Sequence, residues 1–205
     1  MSIQYVSQII SDAQLGKPFI IVDEASRENE GDLVVAADKV TPDIINFMIT
    51  ECKGLVCLTI TEKLRSSLEL EMMPKRHSGK FDAAFTVTFD GVTNYGVGTG
   101  ISASDRAKSI KLAISGNKES IRTPGHVFPL VAQEGGLKVR QGHTEASVEI
   151  MKLAGLDEPA AVICEIINPD GNMARFPDIE RFATEHNINI ISTTALVKYI
   201  EENGL

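Results

Sequence analysis

No stretch of the 205 residues approaches the roughly 18 consecutive apolar positions that a membrane-spanning helix needs. The opening segment, MSIQYVSQIISDAQLGK, has neither a basic start nor a continuous apolar run, so it does not read as a targeting signal. Cysteine is scarce. Cys52, Cys57 and Cys164 are odd in number and lack zinc-type spacing, as expected of free thiols in a reducing compartment. Positive charge is in the minority: 20 Lys and Arg face 28 Asp and Glu, a net −8. With aromatics at 5%, no basic, aromatic-studded face is expected for nucleic acid. These absences point to a cytoplasmic protein with neither membrane nor nucleic-acid partners. An anionic ligand would require positive charge focused at one place.

What is present suffices for a core, with 43% apolar and 23% charged residues. Val6, Ile9, Ile10 and Ala13 recur at helical spacing, and Gly16 is a stop signal. PFIIV (18–22) and LVVAA (33–37) read as buried strands. Thr41–Pro42 is a helix start, with the helix running to about Cys52. LVCLTIT (55–61), AAFTVTF (83–89), HVFPLVA (126–132), AAVICEII (160–167) and INIIST read as further strands. Helices are expected near 61–68, from Ser102 to Ile114, over 144–155, in PDIERFATEHN and at the end of the chain. EMMPKRHSGK (71–80) has no periodicity and reads as an exposed, mobile loop. The alternation predicts a single α/β (or α+β) domain spanning 1–205 around a mixed sheet, with no room after the last helix for a second catalytic domain.

Five stretches carry reactive groups. EASRENEGDL (24–33) separates two strands and crowds Arg27, Glu28, Glu30 and Asp32 together. In an extended segment these three carboxylates would share one face and suit a hard cation; otherwise this is simply a solvated, charged loop. VRQGHTEAS (139–147) places Arg140, Gly142, His143 and Thr144 where a loop enters a helix, a candidate phosphate site with an imidazole beside it. His143 serves either as a ligand or as a histidine near a cap. His126, in TPGHVFPL, is expected at a strand's start, either functional or structural. Glu165 interrupts an apolar strand, which favours a functional role or a buried ion pair. Cys57 and Cys164 read as core, with a lesser case for Cys57 facing a pocket. The glycines of GTGISASDR precede a capped helix without a Walker lysine or a Rossmann pattern. Asp105 there is expected to complement the helix dipole.

RENEGDL, TGISASDR, PGHVFPL, GHTEAS and VICEIINPDGNMAR, in this order and spacing, resemble the 3,4-dihydroxy-2-butanone 4-phosphate synthase family in its monofunctional form. VTNYGVGTGIS is looser than the family's usual run, and Ser109 stands where threonine is common. The resemblance implies a three-layer α/β fold and a homodimer with active sites between subunits. It also implies conversion of D-ribulose 5-phosphate, with Mg²⁺ or Mn²⁺, to L-3,4-dihydroxy-2-butanone 4-phosphate and formate. Carried onto this sequence, Glu28 and His143 become metal ligands that also adjoin the substrate. Arg27, Asp32 and the run Arg140, Gln141, Gly142, His143 and Thr144 become substrate contacts. His126 and Glu165 become essential for catalysis.

The implied chemistry suits these groups. The C3 proton of a 2-ketose becomes acidic once a Lewis acid stabilises the enolate. An enediol, loss of the C1 hydroxyl, a 1,2-shift of the skeleton, hydration and expulsion of C4 as formate complete the sequence. Asp32 or Glu30 is expected to carry the first proton, since closely spaced carboxylates differ in proton affinity. Two other readings compete: a metal-dependent isomerase or aldolase on another pentulose phosphate, and a non-catalytic sugar-phosphate or RNA-binding module.

Overall fold

The computed structural model describes residues 3–76, 79 and 82–204. The chain begins with helix α1 (Ile3–Leu15), ended by Gly16 at a φ of +70°. Strands β1 (Phe19–Val22) and β2 (Gly31–Ala36) follow, then α2 (Pro42–Phe47), which widens into a π-helical turn over Met48–Cys52. Next come β3 (Cys57–Ile60), α3 (Glu62–Ser67), β4 (Phe89–Gly91) and α4 (Ala103–Ile114). The remainder is β5 (Ile121–Val131), α5 (His143–Leu153), β6 (Ala161–Glu165), α6 (Phe176–His186), β7 (Asn189–Ser192) and α7 (Thr193–Glu202). The expected caps form: Thr41 and Ser102 accept hydrogen bonds from the amides of Ile44 and Asp105.

The seven strands form one mixed sheet in the order β4-β5-β3-β6-β2-β1-β7. Among the described residues, only β1–β7 and β3–β5 pair in parallel. Alternation along the strands splits the core in two. Ile20, Leu33, Leu58 and Val162 pack with residues of α2, α4 and α6 on one face. Phe19, Val34, Cys57 and Ile163 pack with α1, α5 and α7 on the other. The result is helices, sheet, helices. The β2–β6 register sets Asp32 opposite Glu165, two residues beyond the Val34–Ile163 pair, so both carboxylates lie on the face that α5 covers.

Three expectations change. AAFTVTF does not form a continuous strand: Phe85 and Thr86 make single bridges to Leu130 and Met72, and the ladder proper is β4. The hydroxyl of Thr88 accepts the amide hydrogen of Gly125, taking a place that backbone pairing would fill. β5 begins five residues before His126, not at it. Gly125 permits this, since a Cβ there would lie 2.0 Å from the Phe89 carbonyl carbon. Finally, Met72 and Met73 of the expected 71–80 loop pair with Thr86 and Phe85. Positions 77, 78 and 80 of that loop lie outside the described residues.

Candidate active site

The charged loop is organised by a residue that sequence reasoning passed over. Asp23, immediately after β1, has a fully buried carboxylate that accepts the amide hydrogens of Glu28 (3.0 Å) and Glu30 (2.9 Å). Arg27 Nη1 donates to the same group at 2.7 Å. From outside, Arg175 Nη1 donates to the carbonyls of Glu28 and Asn29 at 2.8 Å and lies 3.6 Å from Glu30 Oε1. Asn29 is left-handed, at a φ of +56°. That turn breaks the extended alternation, so the three carboxylates do not share one face. Glu28 points to His143 and contacts Arg27, Glu30 turns to Arg175, and only Asp32 belongs to a strand.

His143 is the first residue of α5, and the helix start sets it above this loop. Its Nδ1 lies 3.6 Å from Glu28 Oε2 and 4.0 Å from Asp32 Oδ2, and its Nε2 lies 4.0 Å from Asp23 Oδ1. Two buried polar atoms, His143 Nε2 and Asp32 Oδ1, have no hydrogen-bond partner. Asp23, Glu28 and His143 each offer a ligand atom within 4.8 Å of the others. Unpaired buried polar atoms beside such a donor set fit a divalent cation: Mg²⁺ takes one or two protein carboxylates plus water and substrate oxygens, and Mn²⁺ binds by the same carboxylate and water oxygens.

The shared site separates acidities. Burial raises the Asp32 carboxyl, and Glu165, Glu28 and Glu30 add repulsion that His143 only partly offsets, leaving it near 7. Burial also opposes charging of His143, but Asp32, Glu28 and Asp23 outweigh it and raise the imidazole to about 9. Glu28 is held below the usual glutamate range: burial works against this, and His143 and Arg27 prevail. Glu30 is raised by burial and by Glu28.

These values have a signed consequence. Without a cation, His143 charges in the folded state up to about pH 9, so its stabilisation is lost as pH rises through 9. Asp32, raised from 3.8 to about 7, loses its contribution earlier, as pH rises between those values, so the loss above pH 7 belongs mainly to His143. Metal-free protein should therefore lose thermal stability between pH 7 and 9. A cation that took His143 as a ligand would have to expel the imidazolium proton, and its affinity would then rise about tenfold per pH unit across that window. Calorimetry of Mn²⁺ binding in buffers of different ionisation enthalpy measures the proton directly. No proton released at pH 7.5 would remove His143 from the ligand set.

A second group of charges flanks the same helix start. Arg140 Nη1 donates to Glu145 Oε2 at 2.6 Å, and Glu145 Oε1 accepts the amide hydrogen of Gln133 at 2.9 Å. A Cβ on Gly142 would lie 2.2 Å from Arg140 Nη1 and 2.9 Å from Arg27 Nη2, so two guanidiniums converge on that bare α-carbon. Thr144 is buried and Gln141 exposed. Glu165 Oε2 accepts the Leu55 amide hydrogen at 2.8 Å. His126 joins Asp90 instead of Glu165: its amide and its Nδ1 lie 2.8 and 2.9 Å from the two buried Asp90 oxygens. The Asp105 carboxylate accepts the Gly98 and Gly100 amide hydrogens, so it fixes the glycine loop as well as opening α4. Cys57 is buried, its thiol pushed up by burial and by the nearby Glu165 and Asp32 carboxylates.

Asp23, Asp90, Glu145 and Arg175 were all missed. Asp23 had a signal, a carboxylate directly after an apolar strand, and Glu145 and Arg175 stand inside the quoted motifs. A cavity of about 550 Å³ lined by Asp12, Phe47, His186 and Asn189 shares no lining residue with this site.

Comparison with known proteins decides the family. Residues 7–199 match the family model described as 3,4-dihydroxy-2-butanone 4-phosphate synthase. The chain belongs to the 3,4-dihydroxy-2-butanone 4-phosphate synthase family. It is 46% identical over 201 residues to the synthase of Photobacterium phosphoreum, covering 97% of this chain and 54% of that one. It is 45% identical to that of Tolumonas auensis, covering 98% and 92%. The chain thus spans about half the length of several curated relatives and nearly all of another. Among solved structures, a synthase in complex with two magnesium ions superposes with a TM-score of 0.89 at 33% identity, covering 96% of both chains. A two-domain synthase from A. baumannii also scores 0.89, at 44% identity, over 95% of this chain and 57% of that one. The mixed sheet and its flanking helices are the synthase fold. Among the described residues, no helix is long and apolar enough to cross a membrane.

Proposed function

We propose that residues 1–205 form a single synthase domain that converts D-ribulose 5-phosphate to L-3,4-dihydroxy-2-butanone 4-phosphate and formate. The observation that carries this reading is the gathering of His143, Glu28, Asp23 and Asp32, whose carboxyl is raised to about 7, near two guanidiniums at one helix start. Family membership supplies the prior.

Glu28 and His143 hold the divalent ion, with Asp23 completing or bracing the set. Bound there, Mg²⁺ or Mn²⁺ supplies Lewis acidity to the ketone and its neighbouring hydroxyl. The phosphate of the sugar is received by Arg140, Arg27 and the amides of residues 142 to 144 at the start of α5, which focuses positive charge at one place on an acidic chain. This places the C2–C3 region of the sugar next to Asp32. As a carboxylate, Asp32 takes the C3 proton; with an affinity near neutrality, it can hand that proton on when the C1 hydroxyl leaves as water. Glu30, also raised, is the second carrier. Glu165, fixed by the Leu55 amide, lies on the same face of the sheet and orients the hydration step that precedes release of C4.

His126 acts in a dimer. Its side chain is 42% exposed and held by Asp90, which Arg122 also approaches at 3.5 Å, and the apolar Leu55 and Ile101 are 40% and 56% exposed. Ile101 follows Gly100, whose bare α-carbon abuts the Asp90 carboxylate. A second copy covering this patch would bring His126 to its partner's site. The deciding experiment supplies Mg²⁺ and ribulose 5-phosphate labelled with ¹³C at C4. Labelled formate is expected by NMR, and clean epimerisation or retro-aldol fragments would overturn the proposal.

A further inference from the structure

We propose that Glu145 is a positioning residue for phosphate recognition, acting through Arg140; the inference rests on the reading of Arg140 as a phosphate ligand. Glu145 occupies the third position of α5, where a glutamate ordinarily turns back to cap its own helix. Here it does not. One oxygen takes the Gln133 amide hydrogen and so ties down the segment following β5. The other holds Arg140 Nη1 at 2.6 Å, the length of a charge-assisted bond.

Only 2% of Glu145 is exposed, so the carboxylate is committed to these two donors. Its consequence for the site is geometric. At Gly142, Arg140 Nη1, Arg27 Nη2 and Glu145 Oε2 all crowd the position a Cβ would take, at 2.2, 2.9 and 2.9 Å. Two guanidiniums this close repel each other, and the Glu145 carboxylate beside them offsets that repulsion, so both can be aimed at one point. Asp23 does the same for Arg27 from the other loop. Arginine is a planar fork: Glu145 holds Nη1 and the Asp82 carbonyl accepts from Nη2 at 3.4 Å, so the direction of the group is fixed with Glu145 as an ionic anchor. Glu145 therefore sets where Arg140 presents its charge without itself touching the sugar.

The test is a double-mutant cycle on the full chain with Mg²⁺, using Glu145→Gln, Arg140→Ala and the pair. Glutamine keeps the shape and the acceptor for Gln133 but loses the ionic hold. Glu145→Gln should raise KM for ribulose 5-phosphate and the inhibition constant of inorganic phosphate by about tenfold each, with kcat within about twofold. In the Arg140→Ala background it should add less than about twofold to either. Independent, additive losses would overturn the inference, because Glu145 would then act on its own account. A normal KM in Glu145→Gln beside a raised KM in Arg140→Ala would overturn the inference alone. Unchanged constants in Arg140→Ala would overturn the phosphate reading and the inference with it. If Glu145→Gln does not fold, Glu145→Asp keeps the charge while drawing it back from Arg140 Nη1 by one methylene. It should raise both constants similarly, and wild-type values would reject the assignment.

Discussion

Replacing His143 with alanine is expected to abolish turnover, lowering kcat by at least about a thousandfold, and to remove saturable Mn²⁺ binding. The imidazole is the only neutralising group that touches Asp23, Glu28 and Asp32 at once among the described residues. Without it, three buried or half-buried carboxylates face each other, and a divalent ion loses a donor whose Nε2 has no other partner. The protein should still fold, since His143 is only the first residue of α5, whose packing on the sheet includes Ala146, Ile150, Met151 and the Ser147–Thr59 hydrogen bond. Glu28→Ala should behave alike for the cation, while relieving one repulsion on Asp32. Mn²⁺ binding followed by electron paramagnetic resonance, with circular dichroism to confirm folding, separates loss of the ion from loss of the fold. Near-normal activity with tight Mn²⁺ in His143→Ala would end the ligand assignment.

The second large effect concerns Asp32. Asparagine preserves its volume and hydrogen-bonding atoms but cannot accept the C3 proton. Asp32→Asn should lower kcat by about 10² to 10⁴, the usual contribution of a positioned general base, while Mn²⁺ affinity and KM change little. It should also stabilise the metal-free protein above pH 7, because the wild-type carboxyl must ionise there in a buried site facing Glu165 and Glu28. Exchange of the C3 proton of ribulose 5-phosphate with solvent deuterium isolates the step. Wild-type exchange in Asp32→Asn would assign the base elsewhere, with Glu30 next in line.

The two effects divide the charged loop into parts that its sequence shows as one. RENEGD reads as a run of like charges, and no local rule separates the proposed ligand from the proposed proton carrier. The separation comes from burial and from partners remote in the chain. His143 lies 115 positions beyond Glu28, and Glu165 is brought opposite Asp32 by the antiparallel register of β2 and β6. Arg175, at the start of α6, grips the outside of the loop.

The sequence alone determined the elements whose cause is local. Thr41–Pro42 and Ser102 start helices because their side chains and φ angles suit the first turn, and PFIIV and VICE are strands because β-branched and apolar residues fill a buried sheet. It also named the motifs, and with them the family. Tertiary structure alone decided three things: that Asp23 is the hub of the loop, that His126 joins Asp90, and that the 83–89 run bridges instead of forming a ladder. The reason is physical. Capping and periodicity act between neighbours a few residues apart, whereas the strand order β4-β5-β3-β6-β2-β1-β7 chooses which distant side chains meet, and burial then sets their charge.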